Sequence, residues 1–123
     1  MEGRGSATLE ARTTLIVLDA WGASQAIQSV IDTGFNGFLT LDGSLIAKLK
    51  LPWLYRHNGE LADGTVQVFD VFEAAVIWDG RQRIIEVESV DAEPLLGMAL
   101  MAGHELRIEV RPDGIATITQ MPA

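Results

Sequence analysis

The pattern of apolar and polar residues predicts a chain built mainly from short β-strands. Residues 13–18 are rich in β-branched side chains, and residues 26–31 form a second apolar run that ends at Asp32. The turn-forming sequence Trp21-Gly22-Ala23-Ser24 lies between these two runs, so we expect them to pair as a hairpin. A third short strand is expected over residues 38–41.

The middle of the chain predicts longer antiparallel strands. Residues 65–78 exceed the usual strand length of about 5–6 residues, so we expect this segment to bend or bulge. Asp63-Gly64 before it and Asp79-Gly80 after it are signals for two-residue hairpin turns. Side chains alternate between two faces in residues 81–90: Ile84, Glu86 and Glu88 share one face, and Ile85, Val87 and Ser89 the other.

Two short helices are expected at breaks between the strands. One covers residues 45–49 and is capped by Asp42 or Ser44, and the other covers residues 98–102 and ends at Gly103. Both are too short to form a helical layer of their own.

The last part of the chain predicts one more hairpin. Residues 106–110 and 115–119 flank the turn signal Pro112-Asp113-Gly114. The total of about eight strands favours a mainly β fold that is curled or closed. We expect one domain over residues 1–123, with residues 1–8 flexible.

Composition and charge narrow the classes of function. The 123 residues are 48% hydrophobic and 21% charged, which is typical of a chain with a sizeable core. The net charge of −8 argues against a nucleic-acid partner. It favours peptides with basic flanking residues or simply keeps the chain soluble, and both interpretations stay open. The absence of cysteine excludes disulfides and a cysteine nucleophile.

The apolar runs near the N-terminus are short. Only four strong apolar residues, 15–18, are consecutive before Asp19. A signal peptide needs a longer run, and a membrane span needs about 20 such residues. We therefore expect a cytoplasmic protein without a membrane partner.

The tripeptide Asp32-Thr33-Gly34 is the strongest candidate for chemistry. A carboxylate at the end of a buried strand is costly unless it is paired or used, and catalytic groups are often carried by such loops. By itself the tripeptide is more typical of an ordinary turn, in which the carboxylate accepts backbone N–H groups.

Five further segments reduce the weight of the turn interpretation. In chain order they are Ile31 to Gly37, which contains the tripeptide, Leu61-Ala62-Asp63-Gly64, Ile77 to Arg81, Pro94-Leu95-Leu96-Gly97-Met98 and Gly103 to Leu106, within a stretch from Leu9 to Thr119. In this order the chain resembles the retropepsin-like (clan AA) aspartic proteases, most closely their small bacterial and cellular members.

The resemblance implies a fold, an activity and an oligomer. The fold would be a closed β-barrel with a flap hairpin, and the activity would be peptide-bond hydrolysis by a water between two aspartates, without a cofactor. Since the motif occurs once, the second aspartate would be Asp32 of another copy in a two-fold homodimer. The Thr33 hydroxyl would link the two loops, and Gly34 would let the backbone pass close to the substrate.

The resemblance also assigns the remaining site residues. It makes Leu61-Ala62-Asp63-Gly64 a lid over a bound peptide, although a plain surface hairpin fits the sequence too. Phe35 joins the substrate-binding residues. Leu95, Leu96 and Gly97 would support the catalytic loop from behind. Four aromatic residues are expected in the core, where some of them would line subsites: Trp53, Phe69, Phe72 and Trp78.

Two features remain outside this pattern. Ala99 stands where relatives often carry a polar residue that braces the short helix, which puts the anchoring of the helix or the stability of the dimer in doubt. His57 and His104 are isolated and lack a ligand spacing, so we expect no metal site. The alternative functions are a noncatalytic peptide-binding module and a structural β-barrel dimer.

Overall fold

The protein, as a computed structural model, is mainly β, as predicted. The model describes residues 1–60 and 63–122. In chain order its strands are β1 (Glu2–Gly5), β2 (Ala11–Leu18), β3 (Ser24–Ile31), β4 (Leu39–Leu41), β5 (Trp53–Glu60), β6 (Val66–Trp78), β7 (Arg81–Ser89), β8 (Leu95–Leu96), β9 (His104–Ile108) and β10 (Ile115–Gln120). The helices are α1 (Gly43–Leu49) and α2 (Met98–Met101).

All these strands belong to one sheet that partly closes on itself. The strand order is β5-β6-β7-β4-β8-β3-β2-β1-β10-β9, and β6 makes an additional antiparallel pairing with β2. The sheet therefore curls into a partial ring, and the closed barrel implied by the resemblance stays a prediction. The core fills its concave side and includes Leu15, Leu39, Val76, Val87 and Leu96, each 0% exposed.

Most of the predicted turns form where the sequence places them. Trp78 pairs with Arg81, and the two residues between them, Asp79 and Gly80, both have positive φ, at 50° and 80°. This backbone conformation matches the twist of the flanking strands, and Asp-Gly is one of the sequences that adopt it most easily.

The hairpin between β5 and β6 differs from the prediction by one residue of register. A two-residue turn at Asp63-Gly64 would place residue 60 opposite residue 67, whereas Glu60 lies opposite Val66. Asp63 instead accepts hydrogen bonds from the amide and hydroxyl of Thr65, at 3.0 and 2.7 Å. Because side chains alternate with period two, this shift changes which β5 side chains share a face with those of β6.

The bulge expected in the long strand lies on its partner. β6 pairs with β7 without interruption from Val71 to Trp78. The irregularity in register falls on β5, between Trp53 and Tyr55. β6 pairs with β5 from Val66 to Phe72 and with β7 and β2 further along, whereas β5 is the last strand of the sheet and has β6 as its one neighbour in the strand order.

The N-terminal segment, expected to be flexible over residues 1–8, contains β1. This strand pairs with β2 on one side and β10 on the other. A Cβ atom on Gly3 would collide with the carbonyl oxygen of Arg12, so the absent side chain permits close pairing. Glu2–Gly5 has little β propensity of its own, and the tertiary position overrides this weak local preference.

Helix α1 is capped as predicted. The side chain of Asp42 accepts a hydrogen bond from the Leu45 amide at 2.8 Å, which makes it the N-cap, and Ser44 donates to the same carboxylate. In the described part of the chain, no helix has the length and apolar character needed to cross a membrane.

Candidate active site

Asp32 lies in a loop held between three neighbouring strands. The loop, residues 32–38 (the Asp32 loop), joins β3 directly to β4, yet β8 lies between these two strands in the sheet. Ile31 and Leu39 both lie opposite Leu96, in parallel and antiparallel pairing respectively. The amide of Asp32 donates to the carbonyl oxygen of Leu96 at 3.0 Å, which fixes the start of the loop.

A row of backbone amides fixes the rest of the Asp32 loop. Three consecutive amides donate to its carbonyl oxygens: Gly97 to Phe38 at 2.9 Å, Met98 to Phe35 at 2.8 Å and Ala99 to Gly37 at 3.1 Å. A Cβ atom on Gly97 would collide with the carbonyl oxygen of Gly37, so this close approach requires glycine. The sequence-based support role of Leu96 and Gly97 therefore has a direct geometric counterpart.

Helix α2 does not depend on a side chain at position 99 for its anchor. The amides of Met98 and Ala99, in its first turn, donate to the Asp32 loop. Amides in the first turn of a helix have no acceptor within that helix. Here the carbonyl oxygens of the Asp32 loop accept from them, so no capping side chain is needed. Backbone hydrogen bonds thus anchor α2 at Ala99, where the lack of a polar side chain had put its anchoring in doubt.

The Asp32 carboxylate is partly buried and half satisfied. Its Oδ1 atom accepts a hydrogen bond from the Gly34 amide at 2.8 Å. Its second oxygen has no hydrogen-bond partner among residues 1–60 and 63–122. Thr33 and Gly34 are exposed beside it. One carboxylate oxygen therefore orients the side chain, and the other is open to a water, a substrate or a second carboxyl group.

Phe35 occupies a different place from the one expected for a substrate-binding residue. Atoms of its ring lie where Cβ atoms on Gly37 and Gly97 would be, so the ring packs on both glycines. In this position Phe35 fills space between the Asp32 loop and the start of α2.

Two residues that the sequence did not single out also hold the loop. Thr40 is buried, and its hydroxyl oxygen accepts a hydrogen bond from the Leu95 amide at 2.9 Å. Arg83 donates to the carbonyl oxygen of Leu100 at 3.2 Å, and its guanidinium carbon lies 5.4 Å from the centroid of the Phe38 ring. In the sequence, only its polar character within the apolar run 38–41 sets Thr40 apart, and no feature of the sequence points to Arg83.

The β5–β6 hairpin is the counterpart of the predicted flap. Leu61 and Ala62, two of the residues assigned to it, lie outside the described residues, and Asp63 and Gly64 are exposed near its tip. The hairpin also exposes large apolar side chains: Trp53 (56%), Tyr55 (42%), Val66 (67%) and Val68 (53%).

The prediction of four core aromatic residues holds only in part. Trp78 is buried at 5% exposure, and Phe69 and Phe72 are partly buried. The prediction is wrong for Trp53, which lies at the start of the last strand of the sheet and donates a hydrogen bond from its indole nitrogen to Asp70 at 3.2 Å.

A cavity of about 200 Å³ lies between the Asp32 loop and this hairpin. Residues of the loop and α2 form one side, and residues of β5, β6 and β7 form the other. The lining consists of Asn36, Gly37, Phe38 and Ala99 on the first side, and Tyr55, His57, Val71, Glu86 and Glu88 on the second. The predicted alternation along β7 correctly placed Glu86 and Glu88 on one face, away from the buried Val87.

Glu86 and Glu88, the two carboxylates of the cavity, differ in their hydrogen-bond partners. The hydroxyl group of Tyr55 lies 2.6 and 2.8 Å from the two carboxylate oxygens of Glu86, and this hydrogen bond raises the pKa of Tyr55. Burial raises the pKa of Glu88; nearby His57 opposes this shift, and the charge of Glu86 adds to it. The described residues offer Glu88 no hydrogen bond or ion pair.

The two histidines lie in different parts of the fold. Within residues 1–60 and 63–122, no group of three or more His, Asp or Glu side chains is arranged to hold a metal ion. His57 lines the cavity, whereas His104 packs edge-on against the Trp78 ring, at 5.4 Å between centroids, and lies 3.6 Å from Asp79.

Comparison with known proteins gives no family assignment. No protein-family model matches the chain, and no curated protein sequence matches it significantly. The functional argument therefore rests on the residues and geometry described above.

Proposed function

We propose that this chain is a retropepsin-like aspartic endopeptidase that works as a two-fold homodimer. The observation that carries the proposal is that Asp32 is fixed in position and has one carboxylate oxygen that is free of hydrogen bonds within the described part of the chain. It stands on a loop held at both ends by backbone hydrogen bonds, with one carboxylate oxygen bound to the Gly34 amide and the other open. A catalytic group needs this combination of a fixed position and an available atom.

The second carboxylate is supplied by Asp32 of another copy. Four other aspartates already have structural tasks in their own chain. Asp19 accepts from the Trp21 and Ala23 amides, Asp42 caps α1, Asp63 binds Thr65, and Asp70 binds Trp53 and Arg56. A two-fold axis beside the Asp32 loop is the simplest arrangement that brings two equivalent open carboxylates together.

The chemistry follows from two carboxyl groups at one site. They share a proton, because two close negative charges repel each other and their apparent pKa values separate. The ionised group takes a proton from a water, and the water oxygen attacks the carbonyl carbon of the peptide bond. The protonated group donates to the carbonyl oxygen, and proton transfer to the leaving nitrogen then completes the cleavage. No covalent intermediate or cofactor is needed.

The β5–β6 hairpin is proposed to close over the peptide. Its exposed aromatic and aliphatic side chains would lose contact with water when a substrate lies beneath them. The cavity it forms with the Asp32 loop offers space for a side chain next to the reacting bond. Closure of such a hairpin also excludes bulk water from the reaction.

A noncatalytic role is the alternative, either as a peptide-binding module or as a structural dimer. The hydrogen bond from the Gly34 amide to Asp32 is the observation that favours it, because the same contact is common in ordinary turns. A noncatalytic role would tolerate Asp32→Asn, because the asparagine side-chain oxygen can still accept from the Gly34 amide, whereas a protease would not.

The deciding experiment compares cleavage by the wild type and two aspartate variants. A diverse peptide library is incubated with the wild type, Asp32→Asn and Asp91→Asn from about pH 3 to about pH 8, with product detection by mass spectrometry. Asp91 is exposed and outside the site, so its variant controls for the change in charge.

The proposal requires cleavage by the wild type and by Asp91→Asn but not by Asp32→Asn, together with inhibition by a statine-type transition-state analogue. An intact wild-type protein that cleaves nothing in this range would overturn it.

A further inference from the structure

The cavity between the Asp32 loop and the hairpin has the size of a site for one side chain. Its volume of about 200 Å³ lies below the range of about 300–1,000 Å³ that is usual for sites of drug-sized ligands. Asn36, Gly37 and Phe38 of its lining belong to the loop that carries Asp32, so a peptide bound along this loop would pass the cavity. The cavity is therefore suited to select one residue of a bound peptide.

The walls of the cavity combine apolar surface with carboxylates. Phe38, Val71 and Ala99 offer contacts for an aliphatic stem, and Tyr55 adds an aromatic ring. Glu86 and Glu88 place negative charge on the β7 side. Lysine and arginine side chains have matching parts, with an apolar stem and a cationic head that needs acceptors.

Glu88, unlike Glu86, accepts no hydrogen bond from the described residues. The register of the sheet places Tyr55 opposite Val71, and Val71 opposite Glu88, so the three side chains lie in one row across β5, β6 and β7. Glu86 already accepts a hydrogen bond from Tyr55. Glu88 is partly buried, and a cation beside it offsets the cost of removing its carboxylate from water. His57, which also lines the cavity, acts on Glu88 in the same sense.

We propose that this cavity is a specificity subsite that takes a lysine or arginine side chain of the peptide substrate, with Glu88 as its counter-charge. This inference rests on the proposed protease function. The Tyr55–Glu86 pair forms the second acceptor wall, and Phe38 and Val71 contact the stem. An acidic side chain would be repelled here, and an uncharged one would leave Glu88 without a partner.

The test measures kcat/KM on matched peptides that differ at a single position. The peptides carry lysine, arginine, norleucine or glutamate there, and the position is scanned along each side of the cleaved bond. The enzymes are the wild type, Glu88→Gln and, as a control for charge, Glu105→Gln, which lies exposed on β9.

We expect lysine and arginine to exceed norleucine by at least about tenfold at one fixed position, since hydrogen bonds to charged groups contribute about 1.5–3 kcal/mol. Glu88→Gln should remove most of this preference. Glu105→Gln should behave like the wild type.

Cleavage without a basic preference, or with a preference that Glu88→Gln leaves unchanged, would overturn the subsite while the protease function stands. If the wild type cleaves nothing, the protease proposal fails, and fluorescence-anisotropy binding of the same peptides decides the subsite. In that case tighter binding of the lysine peptide, lost in Glu88→Gln, supports the cavity, and equal binding of all peptides rejects it.

Discussion

The hydroxyl oxygen of Thr40 accepts a hydrogen bond from the backbone amide of Leu95 at 2.9 Å. Thr40 lies in β4, and Leu95 begins β8, the two-residue strand next to it in the sheet. A strand of two residues forms few ladder hydrogen bonds, so a side-chain acceptor at its first residue contributes a large share of its attachment. Since β8 leads directly into the amides that hold the Asp32 loop, Thr40 helps to position Asp32 through the backbone.

Removal of this acceptor should loosen β8. Thr40→Val keeps the shape of the side chain but leaves the partly buried Leu95 amide unsatisfied, which should cost about 1–3 kcal/mol of unfolding free energy. Hydrogen exchange at the Leu95 amide should accelerate. In Thr40→Ser, which keeps the hydroxyl, that amide should stay protected even though a buried methyl group is lost. Equal protection of Leu95 in both variants would contradict this role.

The contact between Gly97 and Gly37 should tolerate no side chain. A Cβ atom in Gly97→Ala would collide with the carbonyl oxygen of Gly37, so the Asp32 loop or α2 must shift. We expect a loss of about 1–3 kcal/mol in chemical denaturation, the usual cost of overpacking. The control is Gly43→Ala at the start of α1, where the added methyl would meet only ordinary contacts. A Gly97→Ala protein as stable as the Gly43→Ala control would contradict the prediction, because it would show that the Asp32 loop shifts at little cost.

Burial of Glu88 should make the stability of the protein depend on pH. Its pKa is raised in the folded state, so its contribution to stability is fully present below the unfolded pKa and is lost as the pH rises through the folded pKa. Glu88→Gln, which never ionises, should therefore have a higher Tm than the wild type near neutral pH. At about pH 3 both side chains are uncharged, and the difference in Tm should disappear. Thermal unfolding across this range checks the prediction, and a difference that is constant with pH would contradict it.

Mixing experiments can detect the shared site of a homodimer. If each active unit needs two Asp32 residues, an Asp32→Asn chain added to the wild type forms mixed dimers with one aspartate. Random exchange with an equal amount should lower the activity per wild-type chain to about half, and a ninefold excess to about a tenth. Asp91→Asn in the same amounts should not inhibit. Activity that is unaffected by added Asp32→Asn would indicate a site complete within one chain.

Features of the fold that depend on local pattern were predictable from the sequence. The apolar alternation of residues 81–90 and the Asp79-Gly80 turn each act over a few residues, and both form as expected. β8 was missed because Leu95–Leu96 is too short to carry a period. The strand at Glu2–Gly5 was missed because its glycines serve close packing with distant parts of the chain, Gly3 with β2 and Gly5 with the turn before β10.

The candidate site was predictable only in its central residues. Asp32 and Gly97 stand in recognisable motifs, and their places in the structure agree with the support expected for the loop. The contributions of Thr40 and Arg83 arise from residues that are distant in sequence, so no local pattern indicates them. The cavity was hidden for a similar reason, because Tyr55 and Glu86 meet only after β5, β6 and β7 have paired.

The position of β8 between β3 and β4 determines when the Asp32 loop can take its final shape during synthesis. The carbonyl oxygen that accepts from the Asp32 amide belongs to Leu96, 64 positions later in the chain. During synthesis, at about 5–20 residues per second, the tripeptide and its first hairpin emerge seconds before the segment that holds them in place. A nascent chain therefore carries Asp32 without its support, and the geometry proposed for cleavage arises only after residues 95–99 have threaded into the sheet. One short strand near the end of the chain thus sets the moment at which the Asp32 loop takes its final shape.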